Sequence, residues 1–381
     1  MDRRALLRAL LHGLASLPAL RLLEARAMEP EQASPPMVAF APVLPGQELS
    51  FPKDHGAHPE FRTEWWYATG WLNLPDGSPL GFQTTFFRVR TGIGEDNPSA
   101  FAPRQLILAH AAIADPSLGR LRHDQRAARA GFGRAGAQVG ETRAWVGDWR
   151  LVQTDDGYLA EVSGDGFAYA LSLVPDGPPL LNGVAGFSTK APDPRHASYY
   201  YSRPQLRVSG TVTLDGDPQP VTGTAWLDHE WSSELLPEGA QGWDWIGLNL
   251  DDGSALMAFQ MRGNTGAPIW SAATLREAGG GPEVLPPDAV TFDPLRRWRS
   301  PRTGIAYPVE WQVRIGVRSL RLQPLMDDQE LDSRRSTGAV YWEGAVRVTD
   351  AGREIGRGYL EMTGYGEPIN LSASHPQMNA N

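Results

Sequence analysis

Asp-Gly pairs punctuate this chain between runs whose apolar residues recur with a period of two. Pairs that act as turn signals stand at 76–77, 156–157, 176–177, 215–216 and 252–253, among others, and Ala351-Gly352 takes a similar position. Asp-Gly favours the tight turns of β-hairpins, and period-two runs such as 82–89 and 205–214 are typical of strands. The chain is therefore predicted to be all-β and built from antiparallel hairpins. The best candidate helix is short, at residues 124–130.

One hairpin motif occurs twice. Residues 72–80 (LNLPDGSPL) and 248–256 (LNLDDGSAL) differ only at their fourth and eighth positions, and tryptophans precede both copies. Turn chemistry alone can produce such a match, because Asp-Gly-Ser turns are common. Otherwise the match indicates an internal duplication of an antiparallel β-domain. Halves of about 160 residues suit closed barrels of eight or more strands, which can hold one small ligand.

The repeat sets the predicted domain organisation. The segments, in chain order, are a signal peptide over 1–27, a proline-rich linker over 28–47, a first barrel over 48–204, a second barrel over 205–370 and a polar tail over 371–381.

The N-terminus has the features of an export signal. Arg3-Arg4 precedes a short apolar run over residues 9–20, and Ala25-Arg26-Ala27 follows as a small-x-small cleavage site. This order is typical of a twin-arginine signal, and it predicts a mature periplasmic protein that begins at Met28. An amphipathic helix that stays on the protein is the alternative. The apolar run is too short to span a bilayer of about 30 Å, and no later segment reaches about 18 apolar residues.

Composition removes several classes of function. The chain has no cysteine, which excludes thiolate nucleophiles, cysteine-ligated zinc, iron–sulfur clusters and disulfides. With 35 Lys+Arg against 44 Asp+Glu, its net charge is −9, and it has no long basic stretch. Nucleic acid is therefore not an expected partner.

Two polar clusters, each rich in aromatic residues, are the candidate functional segments. They occupy residues 51–67 and 226–231. The ionisable candidates within them are His55, His58, Glu64, Asp228 and His229. The aromatic candidates in and near them are Trp65, Trp66, Tyr67, Trp231, Trp243 and Trp245. Burial of a carboxyl group beside aromatic rings raises its pKa, which would make Glu64 or Asp228 a proton donor near neutral pH.

Three other interpretations of the clusters remain open. His55, His58, Asp228 and His229 could ligate zinc or iron, although His55-x-x-His58 lies in a loop and lacks the helical spacing of known zinc motifs. Nucleophilic hydrolysis has weak support, since no Gly-x-Ser-x-Gly occurs and Ser188 is its nearest imitation. The clusters could also be structural, as ion-paired plugs at one end of a barrel, with the tryptophans packed in the core.

The motifs resemble a known family. Asp54-His55, residues 64–70 (EWWYATG) and residues 223–231 (GTAWLDHEW) resemble the AttH-like and carotenoid 1,2-hydratase-like superfamily of exported lipocalin-type proteins. The resemblance covers most of the chain after about residue 45. It implies two lipocalin-like antiparallel β-barrels packed together, in agreement with the repeat.

The resemblance implies two kinds of activity. The hydratases of the superfamily add water to an isolated carotenoid double bond, and by resemblance Asp228 would be the acid, His229 its partner and Trp231 the aromatic face beside the cation. A tyrosine and an acid expected later in the motif are not evident, because residues 259–261 read Phe-Gln-Met. The AttH-like branch instead resembles accessory proteins of membrane transport systems, which implies ligand carriage.

The sequence thus predicts an exported lipocalin-like protein that binds a long apolar or lipid-like ligand, with an ABC-type transport system as an expected partner and peripheral contact with a membrane. The alternatives are a hydratase of isoprenoid double bonds and, with less support, a secreted hydrolase. No metal and no cofactor are expected.

Overall fold

The computed structural model describes residues 39–368, and this part of the chain is all-β. It contains two short 3-10 helices, Lys53–His55 and Pro287–Ala289, and no α-helix. Two antiparallel sheets hold all its strands. None of the described helices is long and apolar enough to cross a membrane.

The strands of the first sheet come first in the chain. They are β1 (Thr63–Asn73), β2 (Pro79–Arg90), β3 (Gln105–Asp115), β4 (Arg120–Arg129), β5 (Ala135–Ala137), β6 (Arg143–Val146), β7 (Trp149–Gln153), β8 (Tyr158–Gly164), β9 (Phe167–Val174), β10 (Leu180–Leu181), β11 (Phe187–Thr189), β12 (Ala197–Leu214) and β13 (Asp217–Ser232). Their order is β4-β3-β2-β1-β13-β12-β9-β8-β7-β6-β5, with β10 and β11 paired to β12. Arg126 of β4 donates to the Val146 carbonyl of β6, so the two ends of the sheet approach each other and the barrel is nearly closed.

The second sheet repeats this plan. Its strands are β14 (Ala240–Leu250), β15 (Ala255–Gly263), β16 (Pro268–Arg276), β17 (Pro282–Leu285), β18 (Val290–Arg299), β19 (Ala306–Ile315), β20 (Arg318–Pro324), β21 (Glu330–Asp332), β22 (Val340–Asp350) and β23 (Arg353–Met362). Their order is β17-β16-β15-β14-β23-β22-β20-β19-β18, with β21 paired to β22.

The repeated hairpins occupy corresponding places. In each sheet the first strand of the hairpin pairs with its own return strand on one side and with the last strand of that sheet, β13 or β23, on the other. Gly77 and Gly253 close the two turns at φ values of +85° and +88°, which favour glycine. The turn bonds also match: the amides of Ser78 and Ser254 donate to the carboxylates of Asp76 and Asp252. The predicted equivalence of the two hairpins is confirmed.

The three largest of the five buried apolar clusters in residues 39–368 form the main layers of the fold. One fills the first barrel around Trp66 and Trp149, and one fills the second around Trp311 and Trp342. The third joins residues of both sheets, with Tyr67 of the first among its members beside residues of the second. The outer faces of β1 and β14 are therefore also buried, because each packs against the other sheet.

Three sequence expectations differ from the structure. The segment 124–130 lies largely in strand β4, because long-range pairing with β3 outweighs its helical composition. The change from first to second sheet falls between β13 and β14, whereas the predicted boundary at 204/205 lies inside the continuous strand β12. The described part of the linker packs on the first sheet, where the Tyr199 hydroxyl donates to the Leu44 carbonyl. The predicted signal peptide over 1–27 and the polar tail over 371–381 lie outside the described residues.

Candidate active site between the two sheets

Strands β1 and β13 pair side by side and carry both polar clusters. Trp66 lies opposite His229 in the register, and Tyr67 lies opposite Asp228. Successive side chains of a strand point to opposite faces of the sheet. Asp228 and His229 are adjacent in sequence but therefore face different compartments. We call these the inner face, toward the interior of the first barrel, and the outer face, toward the second sheet.

A cavity of about 330 Å³ lies between the two sheets. Its walls are mainly apolar, and they include eight aromatic side chains, namely Trp65, Tyr67, Phe87, Tyr200, Trp243, Trp245, Phe259 and Tyr341. Carboxyl groups from both sheets, namely Asp228, Glu230, Glu343 and Glu361, also line it. The exposed residues Gly338, Glu367 and Pro368 mark its mouth. The cavity is an apolar compartment with a small set of acids, which is the usual composition of a small-molecule site.

On the first sheet, three polar side chains form a row toward the cavity. Asp228 of β13, Tyr67 of β1 and Thr85 of β2 are direct neighbours in the strand register. Tyr67 and Thr85 are buried, and among the described residues their hydroxyl groups have no hydrogen-bond partner. An unpaired buried hydroxyl group is costly, so the pair is suited to a polar group of a ligand or to water.

Asp228 is held by three donors. Tyr200 donates to its Oδ2 at 2.7 Å, while Ser202 and Trp226 donate to its Oδ1 at 2.6 and 2.7 Å. Burial raises the pKa of Asp228 to about 7, even though these hydrogen bonds act to lower it. The carboxyl group can therefore exchange a proton near neutral pH, and the donors stabilise the anion that remains.

The second sheet presents a matching row. Phe259, Trp245, Glu361 and Glu343 are neighbours across β15, β14, β23 and β22. Burial raises the pKa of Glu361 to about 8, and burial together with the charge of Glu361 raises the pKa of Glu343 well above its usual range. Glu361 is half-buried, and because it lines the cavity we take its accessible surface to face that space. Both glutamates are thus kept mainly protonated near neutral pH.

The two rows are in contact. The indole nitrogen of Trp245 donates to the Tyr200 hydroxyl at 3.0 Å, and Tyr200 in turn donates to Asp228. The rings of Tyr67 and Trp245 meet edge-on with centroids 5.5 Å apart. This geometry places the acid of one sheet against the aromatic wall of the other.

A buried ion pair sits beside these rows. Lys190 lies 2.8 Å from Glu230, and its ammonium stands 4.5 Å from the centre of the Phe259 ring. It also donates to the hydroxyl of Ser188 at 3.0 Å, so the serine considered as a nucleophile has a lysine as its neighbour. Lys190 neutralises Glu230, whereas Asp228, Glu343 and Glu361 have no basic partner among the described side chains.

The inner face of the same strands carries a different arrangement. Glu64 is fully buried and accepts hydrogen bonds from Arg88 at 2.6 Å, His58 at 2.8 Å and His229 at 2.9 Å. Burial alone would raise the pKa of Glu64, but Arg88 and then the two imidazoles hold it well below its usual range. Burial lowers the pKa of His229 to about 4, so this histidine is neutral. The Glu64 carboxylate is thus fully engaged in an ion-paired network, in which the Nη1 atom of Arg88 is the one guanidinium nitrogen without a partner among the described residues.

His58, Glu64 and His229 form the one group within residues 39–368 with three potential metal ligands close together, with ligand atoms within 4.8 Å of one another. Zinc accepts such ligands. Here, however, the carboxylate that would attract the metal already has the Arg88 guanidinium at 2.6 Å. His55 and Asp228, the other two ligands of the predicted metal set, do not join the group. The donor set fits an ion-pair network better than a metal centre.

The structure therefore divides the predicted site residues between two faces. Those that line the cavity are Asp228, Trp65, Tyr67, Trp243 and Trp245. Those associated with the inner network are His58, His229, Trp66 and Trp231, with His229 stacked on Trp66 and His58 stacked on Trp231. Glu64 borders the cavity but bonds to the inner network. His55 lies beyond that network and bonds to the Tyr201 hydroxyl at 2.9 Å. The trio Asp228, His229 and Glu64 is not one constellation.

Sequence reasoning missed Lys190, Tyr200, Glu343 and Glu361. A signal existed for Glu343, because it is the one acid in the largely apolar segment 340–348. The acid and tyrosine sought at residues 259–261 are replaced by Phe259 and Met261 in the cavity wall. The acids come instead from β22 and β23, a juxtaposition that only the sheet pairing creates.

The comparisons with known proteins agree with this fold. The family model described as AttH-like matches residues 42–365. The crystal structure of an AttH candidate from Nitrosomonas europaea has 53% sequence identity and a TM-score of 0.81, and the match covers 86% of this chain and 100% of that one. Kievitone hydratase from Nectria haematococca matches with a TM-score of 0.65 at 14% identity, over 86% of this chain and 96% of that one, which shows likeness of fold. No curated protein matches the chain.

The match to the family model spans both sheets and both polar clusters. It confirms the resemblance drawn from the Glu-Trp-Trp-Tyr and Asp-His-x-Trp motifs. The chain belongs to the AttH-like family.

Proposed function

We propose that this protein adds water to a carbon–carbon double bond of an apolar, isoprenoid-like molecule held in the cavity between the sheets. One observation carries the proposal: a buried acid, Asp228, faces an aromatic compartment next to two unpaired hydroxyl groups, Tyr67 and Thr85. Hydration of an alkene needs a proton donor, a surface that tolerates a carbocation, and a held water molecule. The cavity offers a group for each requirement.

In the first step, Asp228 transfers its carboxyl proton to one carbon of the double bond, and the other carbon becomes cationic. The pKa of about 7 allows a protonated fraction at neutral pH. Tyr200, Ser202 and Trp226 stabilise the carboxylate formed in this step, since all three donate to it. The faces of Trp65 and Trp245 attract the developing positive charge.

In the second step, water bonds to the cationic carbon and loses a proton. Tyr67 and Thr85 supply the unpaired hydroxyl groups that would hold this water beside Asp228. The Asp228 carboxylate takes up the released proton and returns to its starting state. The net change is one water added across the double bond, with no other reactant.

The comparisons support this direction at the level of fold, because kievitone hydratase shares the architecture and carries hydration in its name. Carriage of the same ligand without turnover, for a membrane transport system, is the competing function. It would use the same aromatic walls but would not need a protonated acid there.

The test combines binding and turnover. The pure protein is incubated with an acyclic isoprenoid that has an isolated terminal double bond, in water enriched in heavy oxygen. Mass spectrometry then detects an alcohol that has gained labelled water, and quenching of tryptophan fluorescence reports binding. We expect labelled product from the wild type and a rate about 100- to 10,000-fold lower from Asp228→Asn, the usual contribution of a general acid.

Asp244→Asn is the matched control. Asp244 is also a fully buried aspartate held by three donors, Gln260, Arg262 and Tyr365, but it does not line the cavity. Equal losses in both variants would mean that any buried aspartate matters through folding. Binding without labelled product in the wild type would contradict the hydratase proposal and favour a carrier.

A further inference from the structure

The described surface has one exposed aromatic pair. Phe101, in the loop between β2 and β3, and Phe132, in the loop between β4 and β5, leave 63% and 59% of their surface accessible. Their ring centroids lie 4.8 Å apart. Ile93 in the first of these loops is also exposed. Large apolar side chains gathered in this way mark interaction surfaces more often than isolated ones do.

The backbone holds Phe132 in an unfavourable conformation. Its φ is +54°, and it lies between Gly131 and Gly133, which also have positive φ values. A bulky residue in the left-handed region is uncommon and is retained mainly where its side chain must project in a particular direction.

Three arginines lie in the two loops or at the adjoining strand end. Arg129 donates to the Phe101 carbonyl at 2.6 Å, and its guanidinium lies 5.4 Å from the centre of that ring. Arg104 and Arg134 are the last residues of the first and the second loop. None of these three arginines forms an ion pair with another described residue. The loop of Phe101 also carries Glu95, which is paired with Arg90, and Asp96, so the three arginines leave a local excess of positive charge in a chain whose net charge is −9.

This patch lies at the end of the first sheet where two strands that line the cavity, β2 and β3, are joined. Phe101 lies in the loop that starts after Arg90 and ends before Gln105, while Val89 and Leu108 on the same two strands line the cavity. The loop carrying Phe132 leaves β4 at this end, where the amide of Ala130 donates to the Gln105 carbonyl.

We propose that Phe101, Phe132 and the arginines 104, 129 and 134 dock the protein on an anionic lipid surface, so that an apolar substrate passes from the bilayer to the cavity mouth. Aromatic rings enter the interfacial region of a bilayer, and arginine side chains bind its anionic headgroups. The delivery of substrate to the cavity rests on the proposed function, but the docking itself does not. The binding of lipid can be measured without any turnover.

The experiment is cosedimentation of the full chain with vesicles of phosphatidylcholine alone or mixed with phosphatidylglycerol. We expect the wild type to prefer the mixed vesicles. Phe101→Ser/Phe132→Ser should weaken partitioning of the protein onto vesicles at least about tenfold. The variant lacks the two aromatic rings whose transfer from water to the bilayer favours binding. Arg129→Gln should weaken binding about fivefold and only to the anionic vesicles. Every variant keeps residues 1–38, so any contribution from them is common to all.

Leu295→Ser/Val317→Ser is the matched control, since both residues are exposed and apolar but belong to the second sheet. It should bind as the wild type does. Unchanged binding by the double phenylalanine variant, or no vesicle binding by the wild type, would overturn the docking proposal. Concentration-dependent dimerisation that this variant abolishes, without vesicle binding, would assign the patch to a second copy of the chain and also overturn it.

Turnover separates this proposal from the first. With a detergent-dispersed substrate, the double phenylalanine variant should retain the wild-type hydration rate. Loss of docking with full turnover supports a role in substrate delivery, while intact docking without any turnover would count against the hydratase proposal alone.

Discussion

The two faces of the β1–β13 pair carry acids in opposite electrostatic situations. On the inner face, Glu64 accepts three hydrogen bonds from side chains, one of them from the Arg88 guanidinium, and remains ionised. On the outer face, Asp228 lies among aromatic rings, and neighbouring hydroxyl groups have no partner. Both acids are buried. The acid that is paired with a cation stays charged, whereas the acid without one can exchange a proton near neutral pH beside hydroxyl groups that are open to another partner.

The largest effect is expected from breaking the inner face. Arg88→Met leaves the ionised Glu64 buried without its cation, which should lower the free energy of unfolding by about 3–5 kcal/mol. Urea denaturation followed by tryptophan fluorescence measures this loss. Glu64→Gln/Arg88→Met should recover most of it, because no uncompensated charge remains. An Arg88→Met protein that keeps its stability but loses turnover would move the catalytic function to the inner face.

The next effect concerns the outer face. Tyr200→Phe removes one donor from Asp228, and a hydrogen bond to a charged group contributes about 1.5–3 kcal/mol. The pKa of Asp228 should therefore rise further by about one to two units. A proton donor is active only while protonated, so the decline in hydration rate with increasing pH should move upward by the same amount.

Tyr201→Phe is the control for this change, because Tyr201 is the next residue but bonds to His55 and His229 instead. Its pH–rate profile should match that of the wild type. An unchanged profile for Tyr200→Phe would mean that Asp228 is not the group whose titration controls the rate.

A smaller effect should appear in the pH dependence of stability. Glu361 has an ordinary pKa of 4.5 and a folded-state pKa of about 8. The folded protein binds this proton more tightly, so the associated stability is complete below pH 4.5 and is lost as the pH rises through 8. The loss is at most about 1.4 kcal/mol per pH unit, and water in the cavity will reduce it.

Buried neutral histidines such as His229 have the opposite dependence, but only below their ordinary pKa of 6.5. Thermal unfolding should therefore be compared above pH 6.5, where Glu361→Gln should reduce the loss of stability with rising pH. Glu354 lies on the same strand but is exposed, so Glu354→Gln should leave that loss unchanged. Parallel curves for the wild type and Glu361→Gln would show that Glu361 titrates normally.

The smallest effect distinguishes an unpaired hydroxyl from a paired one. Thr85→Val should leave the free energy of unfolding unchanged or raise it by up to about 1 kcal/mol, since it removes a buried hydroxyl group that has no partner to lose. Thr142 donates to the His55 carbonyl at 2.8 Å, so Thr142→Val should cost about 1 kcal/mol or more. A large loss of stability in Thr85→Val would indicate that its hydroxyl group is paired in solution.

Local chemistry made much of this fold predictable. The Asp-Gly turns, the period-two alternation and the repeated hairpin indicated an all-β duplication, and both hairpins occupy the predicted equivalent places. The same period of two implies that Asp228 and His229 face opposite sides of the sheet. The alternation of the strand therefore argues against one site that contains both residues. The candidate helix over 124–130 was wrong because strand pairing with β3 decided its conformation.

The sequence by itself determined the strands, their turns and the two polar clusters, because turn preferences and alternation act over a few residues. Only the tertiary structure decided which acids share a compartment. Glu361 comes to lie near Asp228 because β23 pairs with β14, and β14 packs through Trp245 against Tyr67 and Tyr200 of the first sheet. The pKa of each acid then follows from burial and neighbouring charges. These are properties of packing between distant segments, which no local pattern encodes.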